Sequence, residues 1–160
     1  MKQFSILLFL TLLTLNITAG ELEYDLFDAL DRADIKYAEE LIKKGADVNL
    51  KQEPFKQTPI IIAPLRGIDF VILLLNSGAN INARDQDNNT ALINASLYGE
   101  AEIVKLLIKN GADIHVMNND GLNAIEAAKV SKNQEIILLL NNLLKSNSKS
   151  KPNSSSKSKK

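Results

Sequence analysis

The chain has 160 residues, with 19 Lys plus Arg against 19 Asp plus Glu, one His and no Cys. That length supports one domain of ordinary size. Without cysteine there is no disulfide framework, thiolate nucleophile, Cys-ligated metal or iron–sulfur cluster, and one imidazole rules out any site needing two. Aromatics are 5% and Trp is absent, which argues against a base-stacking platform for nucleic acid. The zero net charge averages unlike segments: residues 21–144 hold 12 cations against 19 acids, a net of −7, whereas residues 145–160 hold 6 Lys and no acid, +6.

At the N-terminus, Lys2 precedes an apolar run from Phe4 to Leu15, and Asn16-Ile17-Thr18-Ala19-Gly20-Glu21 closes it with small residues. A short basic start, an apolar stretch and a small-residue end are the pattern of a secretory signal peptide over residues 1–20, with cleavage after Ala19 or Gly20. The run falls short of the ~20 apolar residues of a spanning helix, so a retained anchor is the lesser alternative. Export to the periplasm or beyond is the expectation, and the richness in Asn, Lys and Ile points to an AT-rich bacterial source.

In the middle, Gly45-Ala46-Asp47-Val48-Asn49 returns as Gly78-Ala79-Asn80-Ile81-Asn82 and again as Gly111-Ala112-Asp113-Ile114-His115, each 33 residues on. Ahead of each copy lies a helical pattern of eight residues: Tyr37 to Lys44, Phe70 to Ser77 and Ile103 to Asn110. Gly ends each one, as its freedom at positive φ suits a helix stop. Downstream, Thr58-Pro59-Ile60-Ile61-Ile62-Ala63 aligns with Thr90-Ala91-Leu92-Ile93-Asn94-Ala95 and with Asn123-Ala124-Ile125-Glu126-Ala127-Ala128. Thr58, Thr90 and Asn123 are expected to cap these helices, and Pro59 suits a first helical position. Pro64 should kink or shorten its helix, since it has no N–H to give the preceding turn. Asn88 stands where Gly121 stands one unit later, and Asn tolerates left-handed backbone.

Self-similarity at this period is a repeat architecture, and these residues resemble the ankyrin repeat, with its Thr-Pro-Leu-His-x-Ala start and Gly-Ala-Asp-Val-Asn end. The resemblance covers about Tyr24 to Leu144 and implies an all-α solenoid of helix-turn-helix units joined by short β-turn or hairpin loops. The units fall at about 24–53, 54–85, 86–118 and 119–144, the outer two serving as caps. In three segments the signature His is missing; Ile61, Ile93 and Glu126 stand there. Leu41, Ile42, Leu74, Leu75, Leu107, Ile108 and Leu140 recur at unit spacing and are expected core.

Residues 145–160 are Lys, Ser, Asn and Pro only and are expected to be disordered. Such a tail is solubilising, or it contacts an anionic surface; the latter makes a peripheral membrane or nucleic-acid adaptor the alternative function.

Chemistry is scarce. His115 occupies the slot of Asn49 and Asn82, where a side chain is expected to bond its own turn. Asp85, Asp87 and Glu100 lack the spacing of a calcium loop, and there is no nucleophile elbow or phosphate loop. Asn88 and Asn94 begin glycosylation-type triplets that the repeat already explains. No catalytic residue, cofactor, metal or small-molecule substrate is expected.

Recognition of a protein partner by a monomer is therefore the leading expectation, with an accessory or inhibitor of an enzyme a lesser one. The resemblance implies binding through loop tips and the exposed side of the first helices. Tip candidates are Phe55, Lys56 and Gln57; Arg84, Gln86, Asp87 and Asn89; and Met117, Asn119, Asp120 and Leu122. On the helix face they are Asp31, Arg32, Leu65, Arg66, Leu97, Tyr98, Val130 and Ser131. Leu97 with Tyr98, flanked by Arg66, is the expected centre, because Tyr and Arg are enriched at interface hot spots.

Overall fold

Glycine punctuation and capping residues cut the chain into helix pairs. The structure is a computed structural model that describes residues 21–149; the expected signal peptide over 1–20 and the tail from 150 onward lie outside the described residues. Helix α1 covers 21–31 and α2 runs Ile35–Lys43. The second pair is α3, Pro59–Ile62, continued by a 3-10 turn Ala63–Leu65, with α4, Ile68–Asn76. Then come α5, Ala91–Leu97, and α6, Ala101–Lys109. The last pair is α7, Ala124–Val130, and α8, Gln134–Lys149. Among the described residues there is no strand; one isolated bridge joins Gln52 and Gln57 in the first long loop. The all-α repeat fold stands as expected.

Gly45, Gly78 and Gly111 have φ of +102°, +86° and +88°, so each ends its helix in the conformation that a side chain would strain. Asn88 adopts φ +61°, the left-handed turn expected of it. Helix α8 has no such stop. It continues to Lys149, past the boundary expected at Leu144, so the first residues of the supposed disordered tail are helical. Ile136 and Leu140 on its inner side are fully buried, and that anchored face lets the helix propagate into polar sequence.

The core is one aliphatic seam threading all four pairs. Leu26, Leu30, Leu41, Ile60, Ile61, Leu74, Leu92, Leu107, Ile136 and Leu140 are each at most 1% exposed and belong to one continuous cluster. Burying each such side chain is worth roughly 1.5–3 kcal/mol. A smaller cluster of Ile93, Val116 and Ala127 joins α5 and α7 to the loop between α6 and α7. Ile61 and Ile93, where the signature His is missing, are both buried: apolar packing fills that layer.

Pro64 shortens α3 to four residues and the backbone tightens into the 3-10 turn. The break is bridged from the next unit, where the Asn94 side chain donates to the Ile61 carbonyl at 3.0 Å. Thr58 departs from expectation. Thr90 Oγ1 accepts from the Ile93 N–H at 3.3 Å, and Asn123 Oδ1 accepts from the Ile125 and Glu126 N–H groups. Thr58 makes no such cap. Its hydroxyl is buried and unbonded, a polar group kept from water without compensation.

The two threonines should therefore behave oppositely in urea unfolding. Thr90→Val should lose about 1 kcal/mol with its cap, while Thr58→Val, which removes an orphan hydroxyl at constant shape, should be neutral or stabilising. Equal losses would show that Thr58 caps in solution.

Candidate functional site

Whatever surface the protein offers is what the contacts between units leave over. The Gly-Ala turns are laced by side chains. Within each turn, the third residue bends the chain onto itself: Asn49, Asn82 and His115 donate their N–H to Asp47, Asn80 and Asp113 Oδ1 at 2.8, 3.1 and 2.8 Å. The third residue's own N–H is satisfied from the unit before or, in the first unit, from α1. Asp47 donates to Glu23 Oε1 at 3.1 Å, Asn80 to Asn49 Oδ1 at 2.7 Å, and Asp113 to Asn82 Oδ1 at 2.9 Å. This corrects the expectation for the slot shared by Asn49, Asn82 and His115: its side chain bonds the following unit, not its own turn. His115 comes in the last Gly-Ala turn, after which no such turn follows, and it is exposed. Glu23 plays the Asn part at the first junction, which sequence spacing did not reveal.

The loop tips are zipped in the same direction. Gln86 donates its N–H to the Phe55 carbonyl at 3.0 Å and Asn119 to the Asp87 carbonyl at 2.9 Å. Asn119 Nδ2 reaches the Gln86 carbonyl, Asn118 Nδ2 reaches Asn89 Oδ1, and Asn88 Nδ2 reaches Asn119 Oδ1. Asp85, passed over in the sequence, organises one tip: buried, it accepts from the N–H groups of Asp87 and Asn89 and from Asn89 Nδ2, at 2.9, 2.8 and 3.2 Å. Asn118 Oδ1 repeats that duty one unit later, toward Asp120 and Leu122. Of the tip candidates, Asn89 and Asn119 thus spend their side chains on the scaffold. Phe55 (56% exposed), Lys56, Arg84, Gln86, Asp87 and Met117 (54%) present theirs outward.

On the first-helix face the expected centre separates. Leu97 is half-buried and packs on the cluster of Ile93, Val116 and Ala127. Arg66 pairs with Asp31, Nη2 to Oδ1 at 2.7 Å, tying unit two to unit one, and Ser131 Oγ donates to the Ser96 carbonyl at 2.8 Å. Tyr98 stays open at 55%, as do Leu65 at 43% and Val130 at 59%. Leu65 ends the 3-10 turn and Val130 ends α7, the position of Leu97 in α5, whereas Tyr98 caps α5 and matches Arg66 and Ser131. All three lie at the ends of the first helices of consecutive units. The register is legible in the sequence; openness depends on which neighbours fold over a position, and Leu97, the equivalent of Leu65 and Val130, is drawn inward.

Charge on the opposite edge serves the scaffold too. Lys105 contacts Glu102 at 2.7 Å and Glu135 at 2.6 Å, linking α6 to α8. Glu102 and then Glu135 hold its ammonium well above the usual lysine range; as an exposed network it contributes little stability. Both triplets of the glycosylation type have their Asn amides in use, Asn88 toward Asn119 and Asn94 toward Ile61. Among the described residues there is no group of His, Asp or Glu able to hold a metal, and no helix long and apolar enough to cross a membrane.

Comparison with known proteins agrees with this architecture. The family model described as ankyrin repeats (3 copies) matches residues 26–118 and, overlapping, 73–153. Among curated proteins nothing matches the chain.

Asp85→Ala should cost about 2–3 kcal/mol, because three donors lose a buried charged acceptor at once. Asp85→Asn should cost less than about 1 kcal/mol, since Asn118 already does the same work in the next unit. Chemical denaturation midpoints compare the two.

Proposed function

This chain belongs to the ankyrin-repeat family, and from that premise we propose that it is a non-catalytic, exported interaction module that grips a protein partner along the first-helix ends at Leu65, Tyr98 and Val130 and the adjoining tips. Ankyrin repeats are generally protein–protein interaction modules, and typically non-catalytic. The observation that carries the choice of surface is exposure at the ends of the first helices: Leu65, Tyr98 and Val130 are each at least 43% exposed, Leu65 and Val130 at equivalent positions and Tyr98 one residue further along its unit. A folded chain keeps such side chains in water at a cost that a partner removes, at roughly 25 cal/mol per Å² of apolar surface covered. Tyr98 supplies the one aromatic among the three, with a phenol to reach a polar group at its edge. Phe55 and Met117 extend the surface at the tips. Export rests on the charge and apolar pattern of residues 1–20.

The test is affinity capture from culture fluid and periplasmic extract, followed by titration of the captured partner. Tyr98→Ala should weaken binding at least tenfold, as hot-spot truncations do, without moving the unfolding midpoint. Leu65→Ser and Val130→Ser should each weaken it less. Equal affinity for all three variants would overturn the first-helix ends as the binding surface. Removing residues 150–160 should leave affinity unchanged; abolition of binding by that deletion, with steep weakening in salt, would move the function to the Lys-rich tail and favour the membrane or nucleic-acid adaptor.

A further inference from the structure

One cleft of about 380 Å³, between the turns of successive units, is lined by Asn49, Lys51, Thr58, Asn80, Asn82 and Arg84. The ladder described above decides what these groups have left to offer. A backbone N–H can only donate, so the carboxamide oxygens of Asn49, Asn80 and Asn82 are fixed by the N–H groups of Asn80, Asn82 and Asp113. Asn49 also spends its amide nitrogen on the Gly78 carbonyl at 3.0 Å. The NH2 groups of Asn80 and Asn82 remain unspent.

Two cations join them. Lys51 gives one proton to the Arg84 carbonyl at 3.4 Å and keeps two more; the Arg84 side chain enters no salt bridge among the described residues. No acid lines the cleft. Arg32, Arg66, Lys105 and Lys129, by contrast, are paired with carboxylates, those of Asp28, Asp31, Glu102 and Glu126. Residues 21–144 carry a net of −7, so a cleft lined by two cations and no acid runs against the charge of the body around it. Nor is it a by-product of the repeat, because the position of Lys51 and Arg84 is held by Met117 in the next unit.

We propose that this cleft is a carboxylate subsite: Arg84 and Lys51 receive the side chain of an acidic residue on the protein partner, with the amides of Asn80 and Asn82 completing its hydrogen bonds. The planar guanidinium matches a carboxylate in a two-pronged contact, and Lys51 adds a mobile point charge. The inference rests on the interaction reading above and names one feature of the partner, an acidic segment.

The full chain, labelled with 15N, is titrated with hexaglutamate, with hexaglutamine and with inorganic phosphate, following amide resonances. Hexaglutamate should give saturable shifts centred on Lys51 and residues 80–84, weakening as salt rises, and hexaglutamine should give none. Lys51→Gln with Arg84→Gln should cut hexaglutamate affinity at least tenfold while the unfolding midpoint stays put. Shifts that do not saturate, or that survive the double substitution, overturn the site. Phosphate binding as tightly as hexaglutamate overturns the assignment to a partner carboxylate and makes the cleft a free-anion site. If hexaglutamate fails while partner capture still depends on Tyr98, the subsite alone falls and the interaction reading stands.

Discussion

Each Gly-Ala turn leaves a backbone N–H at its third residue that the turn itself does not satisfy; a side chain from α1 supplies the acceptor for the first turn and the preceding unit does so for the next two. Glu23, Asn49 and Asn82 do this in succession. The aliphatic seam supplies most of the stabilisation, but apolar contact is non-directional and tolerates sliding between units. A carboxamide oxygen 2.7–2.9 Å from one N–H does not. The seam holds the stack together and the ladder sets its register.

That division explains why so much of the polar sequence is structural. The tip amides, the Asp85 carboxylate, the Arg66 guanidinium and the Ser131 hydroxyl all join neighbours. A solenoid has no long-range contacts to close it, so each junction is secured locally. The side chains that the junctions do not need are Leu65, Tyr98 and Val130 at the first-helix ends, Phe55 and Met117 at the tips, and the cations of a cleft that no acid lines.

The sequence made the stack legible because its signals are local and repeated. Glycines at positive φ, caps at Thr90 and Asn123, the break at Pro64 and the aliphatic stripes were all readable, each depending on a few adjacent residues. The surface was legible in part. Tyr98 is open and Arg84 points outward, but Leu97 is drawn inward and Arg66 is taken by Asp31. Lys51, Asn80 and Asn82 gave no signal as a group, because their meaning lies in which of their atoms remain unbonded.

Repeat spacing and charge segregation determined, without coordinates, that this is an all-α stack of repeated helix pairs with an acidic body and a Lys-rich end. Those properties follow from period and composition, which are one-dimensional. Only the tertiary structure decided that Thr58 leaves its helix without a side-chain cap, that Glu23 begins the ladder, that α8 reaches Lys149, and that Leu65, Tyr98 and Val130 stay exposed while Leu97 is drawn inward. Each depends on atoms about 30 residues apart, or on a neighbour's packed face, competing for the same hydrogen bond or the same shelter from water, and that contest is settled only when the units stack.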